Sequence, residues 1–268
     1  MPLCTLHLFA LSPSTHPSFL KALKANVSPL VVARVIRWII LPTTFSTSHL
    51  LARNIHWDYL IILPSTSPLS PDVLEKVQHH WYITAGVPSR LVQNFAEKNE
   101  RLLRLGPDGV PRSIGSLESK ETTRSAQDLE LSGELKDWIR SFTSGDGPEA
   151  RGAVSMFNLL SFKEGMKESY LEYGKAFASS IGKDHGGDAK IVGGVVHVNG
   201  TPREEGGNDG EGWDEVALAH YPSILHFAEM LADEGYQEIN KRWRVPALRD
   251  TAILMTSEVE GWEGRARL

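Results

Sequence analysis

Residues 57–65 read WDYLIILPS, and residues 213–223 read WDEVALAHYPS. Each stretch begins with Trp-Asp, continues as a strand-like apolar run, and ends in Pro-Ser ahead of a helix-like segment. The second copy carries two more residues between those marks. Trp57 and Trp213 are far enough apart for each to sit in its own unit. A repeat at that distance points to two similar domains in one chain. The length of 268 residues suits two domains of roughly 100 residues each.

The linkers follow from composition. Residues 104–127 (RLGPDGVPRSIGSLESKETTRSAQ) are rich in Gly, Pro, Ser and charge. Residues 128–142 carry Leu131, Leu135, Trp138, Ile139 and Phe142 on one helical stripe, with Ser132 placed to cap its start. TSGDGPEAR (143–151) is a second linker. The expected units are therefore 1–103, a linker 104–151 with a helix at 128–142, 152–258, and a tail 259–268.

The C-terminal unit reads most clearly. Ala153–Phe162 is a strand. Glu168–Gly182 is a helix with Tyr170, Tyr173, Phe177 and Ile181 on one stripe. His185-Gly186-Gly187 ends that helix. Lys190–Val198 is a β-branched strand, followed by an acidic loop over Asn199–Gly212. Trp213–Tyr221 is the third strand. Pro222-Ser223 opens a second helix, and Ala252–Thr256 is the last strand. The order β-α-β-β-α-β predicts a ferredoxin-like α+β unit.

The N-terminal unit fits the same order with strands at Leu3–Leu11, Val31–Leu41 and Trp57–Leu63 and a helix at Ser18–Ala25. The spacing of Val73, Val77 and Trp81 predicts a second helix over Pro71–Tyr82, and Leu91–Phe95 is left to close the sheet. Thr43–Ile55 is an insertion without a place in this scheme.

The strands do not alternate. Tyr59-Leu60-Ile61-Ile62-Leu63 and Met156-Phe157-Asn158-Leu159-Leu160 are apolar on both faces. A sheet with helices on one side normally turns polar residues to the other. The second face here needs cover, because an exposed apolar sheet is an association site. Stacking the two sheets face to face supplies that cover and predicts a closed, barrel-like space. The pairing is expected within one chain or across a homodimer.

NLLSF (158–162), YLEYGKAF (170–177), HGGDAKIVGG (185–194), WDEVALAHYPS (213–223) and FAEMLADEGYQ (227–237) together resemble the dimeric α+β barrel superfamily. The resemblance is closest to an uncharacterised branch related to EthD-like and antibiotic-biosynthesis-monooxygenase-type proteins. It covers about 105 residues of the C-terminal half. The N-terminal half looks like a diverged copy that keeps Trp57-Asp58 and Pro64-Ser65 and lacks the Gly-Gly turn. The superfamily includes cofactor-free monooxygenases, polyketide cyclases and haem-handling proteins, so fold alone does not fix function.

Such a barrel implies an apolar pocket for a small hydrophobic or aromatic molecule. Three residues are candidates for its chemistry. His197 and His220, on predicted strands, are candidate general bases. Asn158, a polar residue within an apolar strand, is a candidate donor to a carbonyl or enolate. Tyr173, His185, Trp213 and His7 are candidate substrate contacts. Each also has a structural reading: a satisfied amide, a core ring, or a helix-terminal cation.

The resulting expectation is a cofactor-independent cyclase or monooxygenase that removes a proton next to a carbonyl. The alternatives are a non-catalytic binder or assembly protein, and a haem binder with a histidine free to ligate iron.

Other classes lack a starting residue. There is no Gly-x-Gly-x-x-Gly, phosphate loop, His-Glu-x-x-His, Gly-x-Ser-x-Gly or paired cysteine, so no cofactor or metal is expected. Cys4 is the one cysteine. Net charge is +3 over residues 1–100 and −7 over residues 152–268, which gives no footprint for nucleic acid. The apolar run Pro29–Phe45 contains Arg34 and Arg37, which argues against a membrane span. The N-terminus lacks a basic segment and a cleavage site, so a cytoplasmic location is expected.

Overall fold

The computed structural model describes residues 1–104, 110–111, 117–203 and 212–262. The predicted acidic loop, the tail and much of 104–127 lie in part outside these. The strands are β1 (Leu3–Leu11), β2 (Val31–Ile40), β3 (Tyr59–Leu63), β4 (Val77–Gly86), β5 (Val154–Phe162), β6 (Asp188–Val198), β7 (Thr201–Pro202), β8 (Glu215–Tyr221) and β9 (Leu248–Glu258). The helices are α1 (His16–Asn26), α2 (Pro71–Leu74), α3 (Ser89–Val92), α4 (Phe95–Leu103), α5 (Gly133–Thr143), α6 (Lys167–Ala176), α7 (Gly182–Asp184), α8 (Ile224–Leu231) and α9 (Glu234–Ile239). Ser132 caps α5 by accepting the Leu135 amide at 3.1 Å. Among the described residues no helix is long and apolar enough to cross a membrane.

The molecule is α+β, with a closed eight-stranded antiparallel barrel wrapped by helices. The order is β4-β1-β3-β2-β9-β5-β8-β6, and β6 pairs back onto β4; β7 is a two-residue extension beside β6. The halves meet within one chain along two seams, β2–β9 and β4–β6. Within each half the strands run fourth, first, third, second.

Alternation on each strand explains the doubly apolar sequences. Leu60 and Ile62 of β3 join Leu6, Leu8, Phe157, Leu159, Val216, Leu218 and Leu254 inside the barrel. Tyr59, Ile61 and Leu63 face outward into a second core with Phe19 and Leu23 of α1 and Val73 of α2. On the C-terminal half, Met156, Tyr221, Ile253 and Met255 face outward beneath α5, α6 and α8.

The interior, expected to be a pocket, is packed. Trp57, Trp81 and Trp213 lie in it, each at most 2% exposed. Eight strands enclose a space that side chains just fill.

The ends are closed too. At one end the unplaced insertion 43–55 is the plug, sending Phe45 and Leu50 into the core. The buried Asp250 carboxylate fastens it by accepting the Thr43, Thr44 and Phe45 amides at 2.8–3.2 Å and the Thr43 hydroxyl at 3.0 Å. Trp213 donates its Nε1–H to Ser46 Oγ at 2.6 Å.

At the other end α4 lies over a buried polar cluster. Lys190, 1% exposed, pairs with Glu258. Asn99 donates to the same carboxylate at 2.7 Å, and Lys98 pairs with Asp188 at 2.6 Å.

The predicted helix 71–82 and closing strand 91–95 are corrected. The helix ends at Leu74, and residues 77–86 are the closing strand, while 91–95 falls in α3 and the start of α4. A spacing of four between Val77 and Trp81 fits a helix and a strand equally well. From Gln78 the chain alternates, with Trp81, Ile83 and Ala85 inward and His80, Tyr82 and Thr84 outward.

Candidate functional site

The richest chemistry lies on the outer face of the C-terminal sheet, beneath α6. In register, Asn158 of β5 lies between Ala217 of β8 and Ile253 of β9. The next row is Leu160 between Glu215 and Thr251. Strand parity sets all of these opposite the barrel-facing Phe157, Leu159, Val216 and Leu218.

Asn158, Ala217, Ala219 and Glu215 are only half-buried, although β5 and β8 are interior strands of the sheet. A residue in the middle of a helix-covered sheet stays half-exposed only where the helix layer stands off. The alanines keep that floor low.

Aromatic rings flank this half-buried strip, hereafter the cleft. Phe162 and Tyr170 lie 4.9 Å apart between centroids, Tyr170 and Tyr173 5.4 Å, and Phe177 and Tyr221 6.5 Å. The hydroxyls of Tyr173 and Tyr236 share a 3.1 Å hydrogen bond.

Arg244, on the turn after α9, is 2% exposed. Its Nη2 donates to Thr251 Oγ1 at 3.4 Å, and its guanidinium hydrogen-bonds Tyr170. Among the described residues no carboxylate pairs with it. A buried cation without a counter-charge is costly, and such groups cluster at functional sites.

Burial pushes the Tyr170 phenol up, Tyr173 and Glu215 push it the same way, and Arg244 opposes, so it stays protonated. Burial also raises the Glu215 carboxyl above its usual range; Asp214 adds to this and Lys167 opposes it. Glu215 and Thr251 flank Leu160 on two different strands, about 10 Å apart by strand spacing. The arrangement links a carboxyl of raised proton affinity to a phenol within its electrostatic reach, and that phenol to a buried guanidinium.

Of the residues singled out from sequence, Asn158 and Tyr173 border this cleft. Asn158 donates its amide to Met156 O at 2.8 Å, which leaves its Oδ1 as an acceptor. His197 and His220 are not brought together. His220 pairs with Asp188 at one end of β6, and His197 pairs with Thr84 and Pro202 about 30 Å along that strand.

His220 faces the barrel interior, fully buried, and neither ring nitrogen has a partner. Burial holds its pKa down to about 3, with Lys190, Lys98 and His226 adding to the effect. Trp213 lies in the barrel core and donates to Ser46 of the plug. His7 lies on the outer face of β1, hydrogen-bonded to His80 at 2.9 Å. His185 is buried 3.8 Å from Asp233.

Arg244 and Glu215 were missed. Nothing near RWR (242–244) marks the arginine. Glu215 had a signal in EVALAHY (215–221), where small and polar residues alternate with Val216 and Leu218. Among the described residues no group of three or more His, Cys, Asp or Glu is arranged to hold a metal.

No family model and no curated protein matches the chain. Among solved structures, it is similar to a protein of unknown function from Rhodopseudomonas palustris. That match has 25% identity over 47% of this chain and 94% of that one, with a TM-score of 0.36. It is also similar to a presumed monooxygenase from Lactobacillus acidophilus, with 6% identity, 96% and 93% coverage, and a TM-score of 0.42. A third similar structure is an anthrone oxidase-like protein, with 12% identity, 96% and 91% coverage, and a TM-score of 0.42.

Proposed function

We propose that this protein is a cofactor-independent enzyme that removes a proton next to a carbonyl of a small aromatic or polyketide-like molecule. The observation that carries the reading is Arg244, buried and without a carboxylate partner, across the cleft floor from Glu215.

In this reading the substrate carbonyl lies against the Arg244 guanidinium and the Tyr170 hydroxyl. Glu215 takes the α-proton, and the enolate charge develops where two donors already point. Return of the proton at another atom, or attack of the enolate on a second carbonyl of the same molecule, completes a tautomerisation or a cyclisation. The tyrosine and phenylalanine rings supply the flat walls an aromatic substrate needs.

We further read each half as a ferredoxin-like unit of the α+β barrel type. Their common strand order and their matching Trp-Asp residues support this reading.

The test is α-proton exchange into deuterated water, followed by NMR, with a small panel of aryl 1,3-diketones. The expected result is catalysed exchange that falls at least about 100-fold in Glu215→Gln and in Arg244→Met. His197→Ala and His220→Ala are expected to retain it. Binding of the diketones with no catalysed exchange would make the cleft a binding site alone and overturn the enzymatic reading.

A further inference from the structure

We infer that a second ligand site, for an aromatic molecule carrying a carboxylate or phenolate, lies at the barrel end closed by residues 43–55. It is separate from the cleft beneath α6 and belongs to the N-terminal half.

A groove of about 440 Å³ opens there between the plug, the start of β4 and the turn after β6. That volume is in the range of small-molecule sites. Its walls include His49, Arg53, Trp57, His79, His80 and Tyr82.

Two independent observations point to an anion. The first is charge. Among the described lining residues Arg53 is the fixed charge, with no carboxylate to offset it, and His49 and His79 add ring N–H donors. Arg53 is exposed and pairs with no carboxylate among the described residues.

The second is an indole N–H without an acceptor. Trp57 is 2% exposed and lines the groove, yet its Nε1 has no hydrogen-bond partner. Its counterpart in the repeat, Trp213, spends the same group on Ser46. A buried donor left unmet is costly, and a ligand oxygen that reached it from the groove, with the indole shifting toward the opening, would satisfy it.

The aromatic character comes from a stack of rings that reaches the groove. Tyr82 and His80 lie 5.0 Å apart at 24°, and His80 and His7 lie 5.2 Å apart at 19°. Burial keeps both histidines neutral, so the stack presents flat, uncharged faces. Another ring extends it at low cost.

The test uses the full chain and two probes of similar shape, 1-naphthoate and the uncharged 1-naphthylmethanol. Calorimetry gives affinities, and the Trp57 indole N–H resonance reports the place. Naphthoate is expected to bind at least about tenfold tighter than the alcohol and to move the Trp57 signal. Arg53→Gln is expected to remove that preference, and His79→Gln to weaken it, while Arg244→Met leaves it intact. Equal affinity for the two probes, an unmoved Trp57 signal, or loss in Arg244→Met but not in Arg53→Gln would each overturn the assignment. The last result would return the anion to the cleft beneath α6.

Discussion

Asp58 and Asp214 make the same three hydrogen bonds in the two halves. Asp58 donates its amide to Phe9 O at 2.8 Å, accepts the Leu11 amide on its carboxylate at 2.7 Å, and accepts the Val35 amide on its carbonyl at 2.9 Å. Asp214 does the same with Leu160, Phe162 and Val195 at 2.8, 2.6 and 2.9 Å. Each aspartate ends the ladder of the first strand in its half and ties it to the second. The Trp beside it enters the barrel core. The repeated Trp-Asp is therefore a fold device, used once per half.

Replacing either aspartate by alanine strands a backbone amide at a strand end. Asp58→Ala is expected to cost about 1–3 kcal/mol in urea unfolding. Asp214→Ala is expected to cost more, because it also leaves Arg203, its ion-pair partner, uncompensated. A neutral Asp214→Ala would contradict this account.

The Lys190–Glu258 pair under α4 behaves as a unit. Glu258→Gln leaves a 1%-exposed ammonium without its counter-charge and is expected to cost about 3–5 kcal/mol. The double change Lys190→Met, Glu258→Leu is expected to cost much less. The coupling energy from a double-mutant cycle checks this directly, and additive costs would refute it.

Stability should fall on the acid side of neutrality. His7, His80 and His220 are held at pKa values of about 3, 4 and 3, burial being the main cause for each. In the unfolded chain each binds its proton near pH 6.5. Above that pH both states are neutral and nothing changes. As pH falls from about 6.5 toward 4, only the unfolded state gains protons. Each histidine then removes up to about 1.4 kcal/mol of stability per pH unit. His220→Leu should flatten that slope by about one histidine's share in a pH series of chemical denaturations. An unchanged slope counts against a buried neutral imidazole.

The cleft should trade stability for chemistry. Burial raises the Glu215 pKa above its unfolded value, so its contribution is most favourable at low pH and is lost as pH rises through the folded pKa. Glu215→Gln removes that loss. Arg244→Met removes an unpaired buried cation. Both variants are expected to melt no lower than the parent at pH 7 while losing α-proton exchange. Melting temperatures and exchange rates measured on the same preparations check the pairing of effects.

The histidines show where reading from sequence goes astray. His197 and His220 drew attention because imidazole titrates near neutrality and both lie on strands. His197 sits at one end of β6 and His220, on β8, lies beside the other end; that follows from the register of β6 against β4 and β8, which no local spacing expresses. Arg244 was invisible for a related reason. Its role depends on being buried without a carboxylate, and that is a property of its surroundings.

The sequence by itself determined that this is an α+β chain whose sheet faces both need cover. The Trp-Asp repeat, the strands apolar on both faces and the demand for cover they create are local or compositional, and they lead to a closed, barrel-like arrangement. Tertiary structure alone decided the rest. It turned residues 77–82 from helix into the closing strand 77–86, because pairing with β1 and β6 outweighs an ambiguous spacing. It filled the barrel with three tryptophans and left a half-buried polar strip on the outer face beneath α6. Side-chain volume summed across eight strands settles whether a barrel is hollow, and that sum exists only once the register is set.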